Sequence, residues 1–160
     1  MPALAMYLTV VVALMLVVPA GCVVGDVVLN HAPLSLVLIG KWFVIWSVGA
    51  RLALAGLRQI IQPRYTVQVI LSLKSDESLV LVRELGFANL AIGLMGLGSA
   101  FFASWRPAAA LAGGVFYGLA GANHALQAHR GKLENVAMVS DLWAAGVLIA
   151  SLVAMLGYQA

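Results

Sequence analysis

Charged residues are the scarcest class in this chain: nine Lys and Arg and six Asp and Glu among 160 residues, against 63% hydrophobic. Soluble domains carry about 25% charged and about 45–50% apolar residues, so this sequence lacks the polar surface that coats a water-soluble globule. Cysteine is nearly absent too. A single residue, Cys22, excludes an intramolecular disulfide, a cysteine-based zinc site and an iron–sulfur cluster. No block of Lys and Arg reads as a nucleic-acid surface, so nucleic acid is not an expected partner. There is no glycine-rich phosphate loop and no G-x-S-x-G nucleophile elbow. The stretch before Cys22 has no Lys or Arg, unlike the start of a secretory signal. Pro19 stands where a lipoprotein cleavage box usually has leucine, so neither cleavage nor lipidation is expected.

What the chain has instead is apolar length, with a mean hydropathy of +1.03. A spanning helix needs roughly 20 apolar residues. Five such runs predict an all-α integral membrane bundle of five transmembrane helices, one domain over residues 1–160. The helices are expected at 4–29, 34–57, 76–104, 107–128 and 134–156. Pro19 predicts a kink in the first, Asn30 to Pro33 a short turn, Pro63 a stop and Pro107 a start. Residues 64–75 hold too few apolar side chains to span and read as an interfacial segment. Ser75 reads as the next helix's N-cap, with Asp76 and Glu77 at the positive end of its dipole. Gly114, Gly118 and Ala122, and separately Gly86, Gly93 and Gly96, form small-residue stripes that let backbones approach, read here as packing within the chain.

The loops orient the bundle. Arg58, Arg64, Lys74, Arg83, Arg130 and Lys132 fall on one side, and Arg106 on the other. The positive-inside rule makes the first side cytoplasmic. Five spans in a cell (inner) membrane then place the N-terminus in the cytoplasm and the C-terminus outside, with the lipid bilayer as the first partner.

Polar residues inside a membrane are costly and mark function by default. On the outer half, Asp26 and Lys41 flank one short turn and are read as an ion pair stapling the first two helices. The rest converge on the cytoplasmic half: Arg51 and Arg58 on one face of the second helix, Glu84 and Asn89 on the third, Tyr117, Asn123 and His124 on the fourth, Glu134, Asn135 and Asp141 on the fifth. One reading is a structural interlock in which Arg51 pairs with Asp141 or Glu84. The other is a cytoplasm-facing pocket in which these ten residues bind a small polar or amphiphilic ligand. In an enzyme, Glu84, His124 and Asp141 are the candidate acids and bases, with Arg51 holding an anionic group. Whether a reaction is catalysed stays open, as does any cofactor. No metal is expected: His124 and His129 diverge on a helix, and no Glu-x-x-His pair occurs. Haem would lack an evident second ligand. The competing functions are a non-catalytic accessory subunit of a membrane complex and, third, a small transporter. At this length a transporter would have to be a homo-oligomer.

Several strings carry a resemblance: Gly40-Lys41-Trp42-Phe43-Val44, Val48-Gly49-Ala50-Arg51-Leu52, Ala55-Gly56-Leu57-Arg58-Gln59, Arg83-Glu84-Leu85-Gly86-Phe87-Ala88-Asn89, Gly113 to Gly121 with His124, and Glu134 to Leu142. Over residues 38 to 145 the chain resembles a small prokaryotic membrane-protein family of unknown function, distantly similar to the DoxX-like four-helix group. The resemblance implies a compact helical bundle and, loosely, redox partners or quinone chemistry. Residues 128–135 are similar to the A-H-R-N-x-x-E-N helix opening of the membrane-associated eicosanoid and glutathione metabolism family. The chain departs from it at Gly131 and in having only one helix after the motif, and the match is read as coincidence.

Overall fold

The computed structural model describes residues 2–70, 78–128 and 130–157. Among them there is no strand. Five long helices and one short one account for nearly all: α1 (residues 2–29), α2 (Leu36–Ile61), the short α3 (residues 63–70), α4 (Ser78–Gly98), α5 (Arg106–Leu126) and α6 (Lys132–Gly157). Four segments are long and apolar enough to cross a membrane: Ala5–Leu29, Leu36–Ile61, Ser78–Gly98 and Lys132–Gly157. The expected count of five is thus met by four on hydropathy. The exception, α5, has the length of α4 but a sequence diluted by Ala, Gly, Asn and His. Every long helix turns large apolar residues outward, among them Val17, Leu54, Leu81, Leu119 and Val153. That inverted surface suits a hydrocarbon surround.

Helix ends follow local chemistry. Ser35 caps α2, its hydroxyl accepting from the Leu38 amide. α2 runs through Arg58 and Gln59 to Ile61, past its expected end at 57, because both side chains find partners rather than water. Gln62, before Pro63, then leaves helical geometry at φ −130° and ψ 58°. α4 ends at Gly98, short of the expected 104, and a turn with Phe102 stacked on Trp105 leads into α5. Ser75, Asp76, Glu77, Lys74 and His129 lie outside the described residues.

α2 is the central helix and packs against α1, α4, α5 and α6. On α4 the backbones themselves touch: Gly49 faces Gly96, Ala53 faces Gly93, and Gly56 faces Gly86. A Cβ at Gly93 would stand 2.4 Å from the Ala53 nitrogen. On the other side α5 and α6 run antiparallel, with Gly114 against Ile149, Gly118 against Ala145 and Gly121 against Leu142. The expected within-chain use of both glycine stripes is what the structure has, except that Ala122 is exposed. Met15, Val48, Leu52, Tyr117 and Leu148 fill the space between.

Three stretches are wound as π-helix: Ala13–Val17 in α1, Val44–Ala50 in α2 and Thr66–Ile70 in α3. The first has a legible cause. The Val18 amide bonds to Ala13, and Pro19 has no N–H to give to the preceding turn. The carbonyls of Leu14 and Met15 are left for other helices: Ser47 Oγ of α2 donates to Leu14 at 3.3 Å and the Trp143 indole of α6 donates to Met15 at 3.3 Å. The expected kink at Pro19 is thus a π-wound segment that binds α1 to two neighbours through its backbone.

Candidate functional site

The polar side chains gather at two levels. At the end holding the α1–α2 turn, Lys41 Nζ and Trp42 Nε1 both donate to Asp26 Oδ2 at 2.8 Å, and Asn30 donates to Oδ1 at 2.8 Å. His31 takes a left-handed φ of 53° to close the turn. This is the pair read from the sequence, reinforced by two further donors. If the pair holds the turn, Asp26→Asn should lower the melting temperature more than Asp26→Asn combined with Lys41→Met, because the single change leaves a lone ammonium. Strictly additive losses in the double-mutant cycle would show that the two do not couple.

The second level lies nearer the Arg58 and Arg130 end. Arg51 enters from α2 just beyond the π stretch and donates to Asp141 Oδ1 of α6 at 3.1 Å, with side chains 13% and 7% exposed. The guanidinium stands over the Tyr117 ring of α5, 5.0 Å from its centroid. Tyr117, wholly buried, donates its hydroxyl to the Ser47 carbonyl inside the π segment. The ring on which Arg51 rests is thus tied to the backbone of the π stretch. Tyr7 of α1 lies within electrostatic range of the same guanidinium, and His124 of α5 within that of Asp141. Helix register agrees: Gly121 lies beside Leu142, so His124 is less than a turn from Asp141 along the bundle axis. Its Nδ1 is buried and has no partner.

The other candidates stand apart. Glu84 and Asn123 are exposed. Asn89 is buried on the α4 side of α2, its amide donating to Gln59 Oε1 at 2.8 Å. Arg58 stacks on Tyr65 of α3 at 3.5 Å from the ring centroid. Glu134 accepts from the Gly131 amide at 2.7 Å, which makes it the third-residue carboxylate of a helix cap. Asn135 accepts from Arg130, whose guanidinium also donates to the carbonyls of His124, Ala125 and Gln127. Arg130 and Glu134 are therefore spent on the α5–α6 turn. Of the ten expected ligand-binding residues the structure groups Arg51, Tyr117, His124 and Asp141. It adds Tyr7, whose only sequence signal is that it is the one phenol in the first apolar run.

One concavity of the described residues is apolar. A groove of about 580 Å³ runs between α1, the first half of α2 and α6, lined by Val23, Ile39, Phe43, Trp143 and Val147 among others. Trp143, edge-on to Phe43 and bonded to Met15, lies at one end of it. Among the described residues no group of three His, Cys, Asp or Glu is placed to hold a metal ion.

No protein-family model, curated relative or solved structure matches the chain.

Proposed function

We propose that the chain is a five-span inner-membrane protein with its Arg58 and Arg130 end in the cytoplasm, and that the Arg51–Asp141–His124 centre binds the polar head of a small amphiphilic ligand. The orphaned His124 Nδ1 carries this reading. Buried polar atoms in native proteins have hydrogen-bond partners, and an exception calls for an explanation. Here the explanation is a guest that supplies the missing partner beside Asp141. Support for a fifth span comes from α5, which lies antiparallel to α6 along its glycine face. With 21 residues at 1.5 Å each it reaches about 31 Å, the thickness of a hydrocarbon core.

The accessory-subunit reading has an observation of its own: Arg51 and Asp141 already satisfy each other in close packing. Native mass spectrometry of the full chain in mild detergent separates the two. A ligand-binding centre should retain a small-molecule mass on the parent that is lost in His124→Phe at an unchanged melting temperature. An identical bare mass for parent and variant would favour the subunit. Topology is checked by reporter fusions at residue 70 and at the C-terminus, which should report opposite sides. Agreement between them would remove one span.

A further inference from the structure

We infer, building on the ligand-binding reading, that the head group taken by this centre is uncharged: an alcohol or carbonyl on a hydrocarbon body, neither a carboxylate or phosphate nor an ammonium. The charges of Arg51 and Asp141 cancel in a contact pair that is almost wholly buried. An ionic guest would add a net charge beside an Arg51–Asp141 pair that is already neutral, among Tyr7, Tyr117, Val48 and Leu52. Coulomb energies rise steeply as the dielectric falls, and removing such a charge from water is costly. An anion could take Arg51 only by displacing Asp141, which would then be stranded at the same depth. A cation on Asp141 strands Arg51 in the same way.

The group left free at the site matches a neutral head. His124 Nδ1 donates or accepts according to its tautomer. A hydroxyl serves either tautomer, and a carbonyl serves the N–H form. Tyr7, only partly buried, offers its ring to the hydrocarbon next to such a head, whereas Tyr117 is wholly buried and spent on the Ser47 carbonyl. Glu84, Glu134 and Asn123, which would have offered charge or amide contacts, are all directed elsewhere.

The test uses three photoreactive probes of equal chain length that differ only in the head: a diazirine-bearing fatty alcohol, fatty acid and fatty amine. Each is irradiated with the full chain in neutral phosphatidylcholine nanodiscs, and the adducts are mapped by mass spectrometry. The alcohol should label segments around Tyr7, Tyr117 and His124 at least about tenfold more than the acid or amine, the factor that about 1.4 kcal/mol represents. His124→Phe should abolish that excess, and His124→Asn, which keeps a donor and an acceptor, should restore part of it. Stronger labelling by the acid or the amine, with the same dependence on His124, would overturn the uncharged head while leaving the ligand site in place. Equal labelling by all three probes, unchanged in His124→Phe, would overturn both. Melting curves for each variant exclude loss of fold as the cause.

Discussion

Arg51→Met should weaken the fold by about 3–5 kcal/mol, the penalty for breaking a buried ion pair from one side. The guanidinium donates to Asp141 at 3.1 Å and rests on Tyr117, so methionine removes the counter-charge while keeping much of the volume. Asp141, with a side chain 7% exposed, then loses the guanidinium that pairs with it. The double variant Arg51→Met with Asp141→Leu should recover most of the loss, because well-packed apolar replacements of a buried pair are often neutral or better. Glu84→Gln should stay within about 0.5 kcal/mol of the parent, as surface changes do. Thermal melting in detergent at neutral pH compares all three. A parent-like Arg51→Met would show that the pair contributes nothing to the bundle.

Gly93→Val is the second large effect. A Cβ there meets the backbone of Ala53 at 2.4 Å from nitrogen and 2.8 Å from Cα. Backbone cannot swing away as a side-chain tip can, so α2 and α4 must separate along the seam that Gly49, Gly56, Gly86 and Gly96 share. Overpacking a well-filled core costs about 1–3 kcal/mol, and a valine with two further methyl groups lies at the upper end. Gly118→Ala is the control. Its new methyl would lie 3.7 Å from Ala145, an ordinary contact, so its melting temperature should match the parent's. If both variants melt together, the close approach of α2 and α4 is not what holds that seam.

Much of this arrangement is legible in the residues, and the illegible parts have physical reasons. The Asp26–Lys41 pair is forced by a short turn between two helices. Arg51 and Asp141 could be matched by face and depth. Glu84 could not be placed by depth alone. The rotation of α4 is set by Gly86, Gly93 and Gly96 pressing on α2, and Glu84 precedes Gly86 by two positions, roughly 200° round the helix, which turns it outward. Asn89, one turn beyond Gly86, faces inward for the same reason and meets Gln59. Glu134 reads as a site residue only while the last helix is started at 134. Once Lys132 is the first helical residue, its carboxylate falls at the capping position. Tyr7 gave no such handle, because its place beside Arg51 depends on how α1 crosses α2 and α6, which no local pattern encodes.

The π winding of Val44–Ala50 makes the length of α2 a functional quantity. A π turn accommodates residues that an α turn of the same rise does not, so the two halves of α2 hold an angular phase that depends on the number of residues between Lys41 and Arg51. Removing one residue from that stretch lets it relax to α geometry with the two halves near their present phase, whereas removing a second, with no π turn left to absorb the change, rotates everything beyond it by roughly 100°. Arg51 would leave Asp141, Gly56 would leave Gly86, and Gln59 would leave Asn89 together, while Lys41 stayed on Asp26. Point changes here are graded, whereas length changes that the π turn cannot absorb are all-or-none. A descendant of this chain that changed length within Val44–Ala50 by more than the π turn absorbs would keep one polar level of the bundle and lose the other.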